Sequence, residues 1–512
     1  MPEFSDTKTN NADGLELFLD DHRISWQYNV TRELNQPTRH EGNPILQLEN
    51  PWEQSFVQMY GNVLPRAGGG YRMWYNAGAK GEQADKALCY AESEDGFSWD
   101  RVMSDNHPYH GHTPTNIVIG PQPHTAGPCV IENQHNEDPE SRLLLMFNSY
   151  PRSYPQYEQM MQGSRWCFVA TSPDGLNWHP PEGRPAISGK ADCGQSIVWD
   201  PIKRRYMAYL RGTRTFEPHY GPFASPWGET VRVRYVRLSV SEDFEHWSEP
   251  VELMRADERD GDPFNHMHQL AVTRMGNQYV GLLGMFPIEE FRDIPGKNIL
   301  MEDGPIDMQL TVSRDGLHWS RVANRQTFLP MGLPGTWDAN WLVVMHNIVL
   351  TDDQMRFYYN ANPVKRSDRP AYNPKTSKDL RTRIGVATLP LHRFQKLRPT
   401  RLNQPAVIET KPLYMHEGDL LVNADASLGQ IQVELTDFNG NTIEGFSKED
   451  CHPLKTDRLE HIVQWGDAGG KKRRIFDAID HDLVFRRALR VRFYLHQAHL
   501  FAANFPCYDP IP

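Results

Sequence analysis

The chain has 512 residues, 39% of them hydrophobic and 11% aromatic, and a formal net charge of −11. No apolar run approaches the roughly eighteen residues that a membrane helix needs, and the negative balance argues against non-specific nucleic-acid binding. Thirty-nine prolines and 37 glycines suit a turn-rich all-β chain, and the length allows two or three domains.

Residues 1–13 are polar and read as a disordered tail; without an apolar h-region they show no signal peptide, so localisation stays open. From Leu15 the chain reads as short strands. A first strand recurs at Phe56–Leu64, Cys129–Ile131, Ser196–Trp199, Gln269–Thr273 and Leu342–Leu350. A second follows each after a short turn, at Tyr71–Asn76, Leu143–Asn148, Tyr206–Arg211, Tyr279–Gly284 and Arg356–Asn360.

A heptapeptide marks the end of the third strand four times, at Ser93–Trp99, Ser172–Trp178, Ser241–Trp247 and Ser313–Trp319. Each copy reads Ser-x-Asp-(Gly/Phe)-x-x-Trp, and the Trp-to-Trp intervals are 79, 69 and 72 residues. Such a period signals a repeated supersecondary unit. Ser and Asp side chains can bond the turn's own N–H groups, Gly supplies positive φ, and Trp packs back between sheets. The fifth unit lacks the heptapeptide, and its third strand falls near Ile384–Leu389. Five meanders, with Leu15–Ile24 as a closing edge strand, predict an all-β fold: a five-bladed β-propeller over 14–405.

After residue 405, Gly418–Val422, Gln430–Asp437, Leu459–Val463, Ala488–Tyr494 and His499–Phe505 alternate like sandwich strands. Residues 406–512 therefore read as a separate β-sandwich, a buttress to the propeller or a carbohydrate-binding unit. The six cysteines form no CxxC pair, so neither a zinc knuckle nor a disulfide framework is indicated.

Inner strands of a propeller all start at one mouth of the channel. Residues just before them are Glu53, His124, Asp192, Asp262 with His266, and Asp338; residues ending the second strands include Asn76, Asn148, Arg211 and Asn360. Carboxylates in four of five units are the equipment for glycosidic cleavage: one protonates the leaving oxygen, another acts as nucleophile or base. Glu53, Asp192 and Asp338 are the catalytic candidates. Asn76, His124, Asn148, Arg211, Asp262, His266 and Asn360 are candidate sugar contacts, and Trp52, Trp337 and Trp341 candidate stacking faces. Arg211 stands nearly alone as a cation among these positions.

The repeats, the Asn43-Pro44-Ile45-Leu46 lead-in, the unit-start acids and the appended sandwich resemble the five-bladed propeller glycoside hydrolases of families 32, 43, 68 and 117, family 32 most in layout. The resemblance covers about residues 40–512. It implies Glu53 as nucleophile or base, with Asp192 and Asp338 as stabilising or general acids. Three family 32 segments (Trp-Met-Asn-Asp-Pro-Asn-Gly, Arg-Asp-Pro and Glu-Cys) are absent, and Glu replaces Asp in the first blade, so fructan specificity does not follow. The heptapeptide also resembles the sialidase Asp box, but is one residue shorter before Gly.

The expected activity is hydrolysis of a furanosidic or unusual-sugar bond in an oligo- or polysaccharide, with no nucleic-acid or membrane partner. Two alternatives stand beside it: a non-catalytic carbohydrate-binding propeller, and a phosphorolytic enzyme similar to family 130, which needs clustered basic residues at the mouth. No cofactor is expected. The resemblance to family 43 allows a divalent cation near the axis, with His266, His268 or His346 in reach.

Overall fold

The computed structural model describes residues 14–78, 86–120, 124–134, 137–150, 165–179, 185–187, 189, 192, 194–216, 231–261, 265–294, 299–368, 381–466, 470, 472–478 and 488–508. Five antiparallel sheets follow one another along the chain. Sheet 1 is Phe56–Pro65, Tyr71–Gly78, Ala87–Ser93 and Asp100–Arg101; sheet 2 is Ala126–Glu132, Leu143–Ser149 and Trp166–Ser172. Sheet 3 is Ser196–Asp200, Arg205–Phe216, Val231–Ser241 and Val251–Met254. Sheet 4 is His266–Met275, Gln278–Phe286, Asp307–Ser313 and Trp319–Arg321, with a hairpin (Glu290–Ile294, Ile299–Asp303) inserted between its second and third strands. Sheet 5 is Asn340–Val344, Gln354–Asn362 and Arg383–Pro390, and its fourth strand is Thr38–Arg39.

The second strands explain why these segments read as near-continuous apolar runs. Their side chains alternate between two cores. Trp74 packs against Val130 and Phe168 of sheet 2, while Met73 and Tyr75 pack against Tyr358 and Val386 of sheet 5. Leu144 and Met146 face sheet 3, and Met207 and Tyr209 face sheet 4. Val280 and Leu282 of sheet 4 meet Leu342 and Phe357 of sheet 5. Five inter-sheet cores therefore connect sheets 1-2-3-4-5-1, a closed ring of five blades.

The heptapeptides occupy equivalent corners between third and fourth strands. In the second copy, Ser172 Oγ accepts from Gly175 N at 2.8 Å, and Asp174 Oδ1 accepts from the Leu176 and Asn177 amides at 2.8 Å each. The other three copies repeat this pattern. The corner also bolts adjacent blades. An aromatic of the preceding sheet donates to the fourth residue's carbonyl: Trp74 to Gly175 at 2.8 Å, Tyr209 to Gly316 at 3.0 Å and Tyr358 to Gly96 at 2.7 Å. The third copy has Phe244, also at positive φ, and its buried ring packs on Tyr206 and Trp247 in the core facing Leu144 and Met146.

Two expectations are corrected. The ring is closed by Thr38–Arg39, not by Leu15–Ile24. Leu15–Glu16, Ile24–Tyr28 and Val30–Leu34 instead pair with His499–Asn504, Ala406–Thr410 and Gln395–Pro399. The sandwich, two six-stranded sheets over one core, thus takes strands from 15–34 and 395–399 as well as from the segment after 405. A short strand shows its alternation in sequence but not its partner, and both partners here lie over 350 residues away. The 1–13 tail lies outside the described residues.

Gly175 sits at φ +86°, with the Trp74 ring against the position a Cβ would occupy. Gly175→Ala combines the left-handed penalty with overpacking, and urea unfolding should show a loss of about 2–4 kcal/mol. Burial lowers His346 to about 3, against a raising hydrogen bond with the Tyr60 backbone, and lowers His392 to about 4. Below the ordinary histidine value of about 6.5, the unfolded chain takes up protons that these folded rings refuse. Stability is then full above that value and declines as pH falls towards the folded values. For two such rings the loss is about 2 kcal/mol between pH of about 6.5 and about 5.5, measurable by urea unfolding at each pH; replacing both by Gln should flatten that slope.

Candidate active site

Glu53 is fully buried and turns away from the channel. Its Oε2 accepts from the Glu49 and Asn50 amides at 3.0 Å each, and its Oε1 from Tyr75 Oη at 2.7 Å and Arg101 Nε at 2.9 Å. Asp338 is held the same way, accepting from Arg39 Nε at 2.6 Å, Tyr359 Oη at 3.1 Å and Thr336 Oγ1 at 2.8 Å. In both, a tyrosine of the second strand and an arginine of the fourth grip the acid that leads into the first strand. In sheet 4, Asp260 pairs with the fourth-strand Arg321 at 2.8 Å and with Arg325 at 3.0 Å. Two of the four recurring acids, Glu53 and Asp338, therefore belong to a staple between lead-in and outer strand. Neither Glu53 nor Asp338 is placed for chemistry at the channel.

Several expected sugar contacts are structural too. Trp52 is buried and donates to Asn116 Oδ1 at 2.8 Å, and Trp337 stacks on Tyr359 at 5.6 Å. Asn76 ties sheet 1 to sheet 2, donating to Thr125 O at 2.9 Å and accepting from Gly127 N at 3.0 Å. Asn148 is buried and donates to Cys167 Sγ, Asn360 is buried on its strand, and Asp262 lies outside the described residues.

Asp192, Arg211 and His266 do converge, together with residues the sequence reading passed over. Asp192 is one-third exposed and is bridged by Arg165 and by Arg211, the latter at 2.5 Å. Arg211 also donates to His268 Nε2 at 2.9 Å. Beyond His268 stand Trp341 at 5.4 Å, Arg366 over the Trp341 ring at 5.7 Å, and Glu302 paired with Arg366 at 3.3 Å and Arg234 at 3.9 Å. Arg234 in turn donates to His266 Nδ1. On the sheet 1–2 side, His124 packs on Tyr150 at 4.6 Å, Tyr150 under Arg165 at 5.4 Å, and the Lys86 amide donates to His124 Nδ1.

Three of these cations share one sequence position. Lys86, Arg165 and Arg234 each stand seven residues before a heptapeptide Ser (Ser93, Ser172, Ser241). Seven residues of strand, about 23 Å, carry the chain from corner to mouth. This spacing is legible in the sequence, on the third strand, outside the first and second strands whose ends carry the expected mouth residues. The view of Arg211 as a nearly lone mouth cation is corrected accordingly.

Arginine has only donors, so His268 Nε2 must accept and the ring proton resides on Nδ1. No described residue accepts from that nitrogen. Burial, then Arg211 and Arg234, holds His268 well below the ordinary histidine range, so the ring is neutral at physiological pH. Guanidiniums on His266 and His268 also oppose a bound cation. The pair does not fit the divalent ion that the resemblance allowed, and the described residues contain no cluster of metal-ligating type.

A separate cleft of about 690 Å³ opens between the ring and the sandwich, lined in part by Gln36, Thr327, Pro390, Arg393 and Phe501. Its lining contains no carboxylate, so the mouth is the better site for acid–base chemistry.

No protein-family model and no curated protein matches the sequence. Among solved structures, a glycosyl hydrolase from Bacteroides ovatus is similar at 14% identity, covering 70% of this chain and 95% of that one, TM-score 0.44. An N-acetylgalactosamine deacetylase from F. plautii, in complex with blood group B trisaccharide, is similar at 16% identity over 71% and 96%, TM-score 0.43. A thermostable family-43 glycoside hydrolase is similar at 10% identity over 67% and 92%, TM-score 0.40.

Glu53→Gln should behave as a stability variant. Weakening its pair with the buried Arg101 guanidinium costs on the order of 3 kcal/mol in urea unfolding, while any activity of the surviving folded fraction stays unchanged. A large fall in turnover number at unchanged stability would return Glu53 to the catalytic candidates.

Proposed function

We propose that this chain cleaves glycosidic bonds at the arginine-lined mouth, with Asp192 and Glu302 as its carboxylate pair. The observation that supports the reading is their placement at one end of the ring: Asp192 pairs with Arg211 and acts on His268, and Glu302 pairs with Arg234 and Arg366, which act on the same histidine. Two positive neighbours favour the ionised form of a carboxyl group, which suits Asp192 as nucleophile or base. Glu302 meets two guanidiniums as well, but it is 4% exposed, and its desolvation opposes their effect; the more enclosed of the two acids is assigned as the proton donor. Trp341 supplies an apolar wall beside them. The substrate class is an oligo- or polysaccharide, with a furanoside or unusual sugar as the leading form.

Released reducing sugar, screened across fructans, arabinans, galactans, agars and fucans, identifies the substrate. On that substrate Asp192→Asn and Glu302→Gln should each lower kcat of the folded protein by about 10²–10⁴-fold; Glu302→Gln also weakens buried pairs with Arg234 and Arg366 and should lower the unfolding midpoint. An aryl glycoside with a good leaving group should restore only the Glu302 variant. Binding of a glycan without turnover would favour a carbohydrate-binding propeller. Full activity in both variants would overturn the assignment.

A further inference from the structure

We infer that the β-sandwich carries a glycan-binding site of its own, apart from the mouth: a platform of Trp26 and Tyr28 on which an uncharged oligo- or polysaccharide chain stacks. The inference goes beyond the glycosidic reading and requires no cleavage anywhere in the molecule. The sandwich read from sequence as a buttress or a carbohydrate-binding unit of residues 406–512. The rings come instead from the Ile24–Tyr28 strand, which that reading placed in the propeller.

The platform follows from register. Ile24–Tyr28 is an edge strand, and alternate side chains of a strand share a face. Trp26 lies opposite Glu409, Glu409 opposite Arg492, and Arg492 opposite Glu434; Tyr28, Val407, Tyr494 and Gln432 form the next row. The residues between these rows, Ile408, Phe493 and Val433, point the other way, into the sandwich core. Trp26 and Tyr28 therefore stand on the outer face of the sheet. They are 51% and 48% exposed, whereas every other described tryptophan is buried or half-buried.

The two rings form a surface more than a contact with each other. Their planes are parallel to within 6° and their centroids are 6.3 Å apart, well beyond the roughly 3.5–4.0 Å at which carbon atoms touch. Neither ring covers the face of the other. Tyr28 Oη donates to Gln404 Oε1 at 3.0 Å, which holds that ring in place before a ligand arrives.

Three features favour a saccharide as the occupant. An aromatic face with a polar surround suits a ligand that is apolar on one side and hydroxylated at its edge. Gln404 lies beside Tyr28, and Glu409, which accepts from Ser25 Oγ at 3.0 Å, lies beside Trp26; both side chains can take hydroxyls. Second, the charged groups of this face are engaged with one another. Glu409 accepts from Arg490 at 3.3 Å and from Arg492 at 2.6 Å, and Glu434 from Arg492 at 2.6 Å. An ionic partner would have to break those pairs, and a neutral polyol would not. Third, the exposed halves of two aromatic side chains amount to roughly 200 Å². That is about a quarter of the roughly 800 Å² that each partner buries in a stable protein pair. The patch is too small for a second copy of this chain, and it matches a short stretch of glycan.

Affinity electrophoresis of the full chain through gels containing fructan, arabinan, galactan, agar or fucan tests the inference. At least one polysaccharide should retard the protein. Trp26→Ala and Tyr28→Ala should each raise the apparent Kd about fivefold or more, and Trp26→Phe should keep most of the binding; the unfolding midpoint of each variant checks its fold. No retardation by any polysaccharide, or full retardation of the folded double variant Trp26→Ala/Tyr28→Ala, would overturn the inference. So would a wild-type dimer in sedimentation velocity that the double variant abolishes, since the rings would then join two copies of the chain. The two readings fail separately. Retardation that is lost with the rings, in a protein that cleaves no glycan, leaves the platform standing and removes the glycosidic reading. Cleavage of short oligosaccharides, with retardation indifferent to both rings, does the reverse.

Discussion

The backbone pairing of Thr38–Arg39 with Ala387 and Thr388 joins the two ends of the ring, and the remaining geometry depends on it. Each blade buries both faces, so no blade is stable against solvent unless its neighbours on either side are present. A two-residue strand is a weak closure by itself. It is reinforced where Arg39, on that strand, reaches back to Asp338 and so fixes the lead-in of the same blade. Without closure the mouth has no fixed diameter, and Asp192 and Glu302, from different blades, have no fixed relation.

Charged side chains in this protein do two different jobs. One set, Glu53–Arg101, Asp260–Arg321 and Asp338–Arg39, ties each lead-in acid to an arginine of the fourth strand. Matched buried pairs of this kind roughly balance their own desolvation; they fix position more than they add stability. The other set gathers at the mouth, where Arg165 and Arg211 share Asp192, and Arg234 and Arg366 share Glu302. The three stapling pairs lock lead-in segments, while the mouth groups join side chains of different blades.

The ring was legible because its punctuation is local. Ser172, Asp174 and Gly175 build their turn from bonds inside the heptapeptide, so the pattern survives without knowledge of the rest. The role of Glu53 was not legible. Its position before the first strand was read correctly, but a side chain can leave the backbone toward the axis or toward the rim. The deciding partner, Arg101, lies 48 residues on. A clue existed in the Trp99-Asp100-Arg101 and Trp319-Ser320-Arg321 repeats, each placing an arginine two residues after the heptapeptide Trp. Lys86, Arg165 and Arg234 were equally available at constant spacing. Glu302 and Arg366 were not, because a hairpin and a turn outside the repeat carry them to the mouth.

On the reading proposed above, chemistry sits at the arginine-lined mouth, not at the acids that open the blades. A crystal structure of the Asp192→Asn variant with an oligosaccharide bound tests it most directly. A sugar ring is expected against Trp341, with its cleavable oxygen between residues 192 and 302. A saccharide seated instead in the cleft by Arg393 and Phe501, or reaching Glu53 or Asp338 at a rearranged rim, would contradict it.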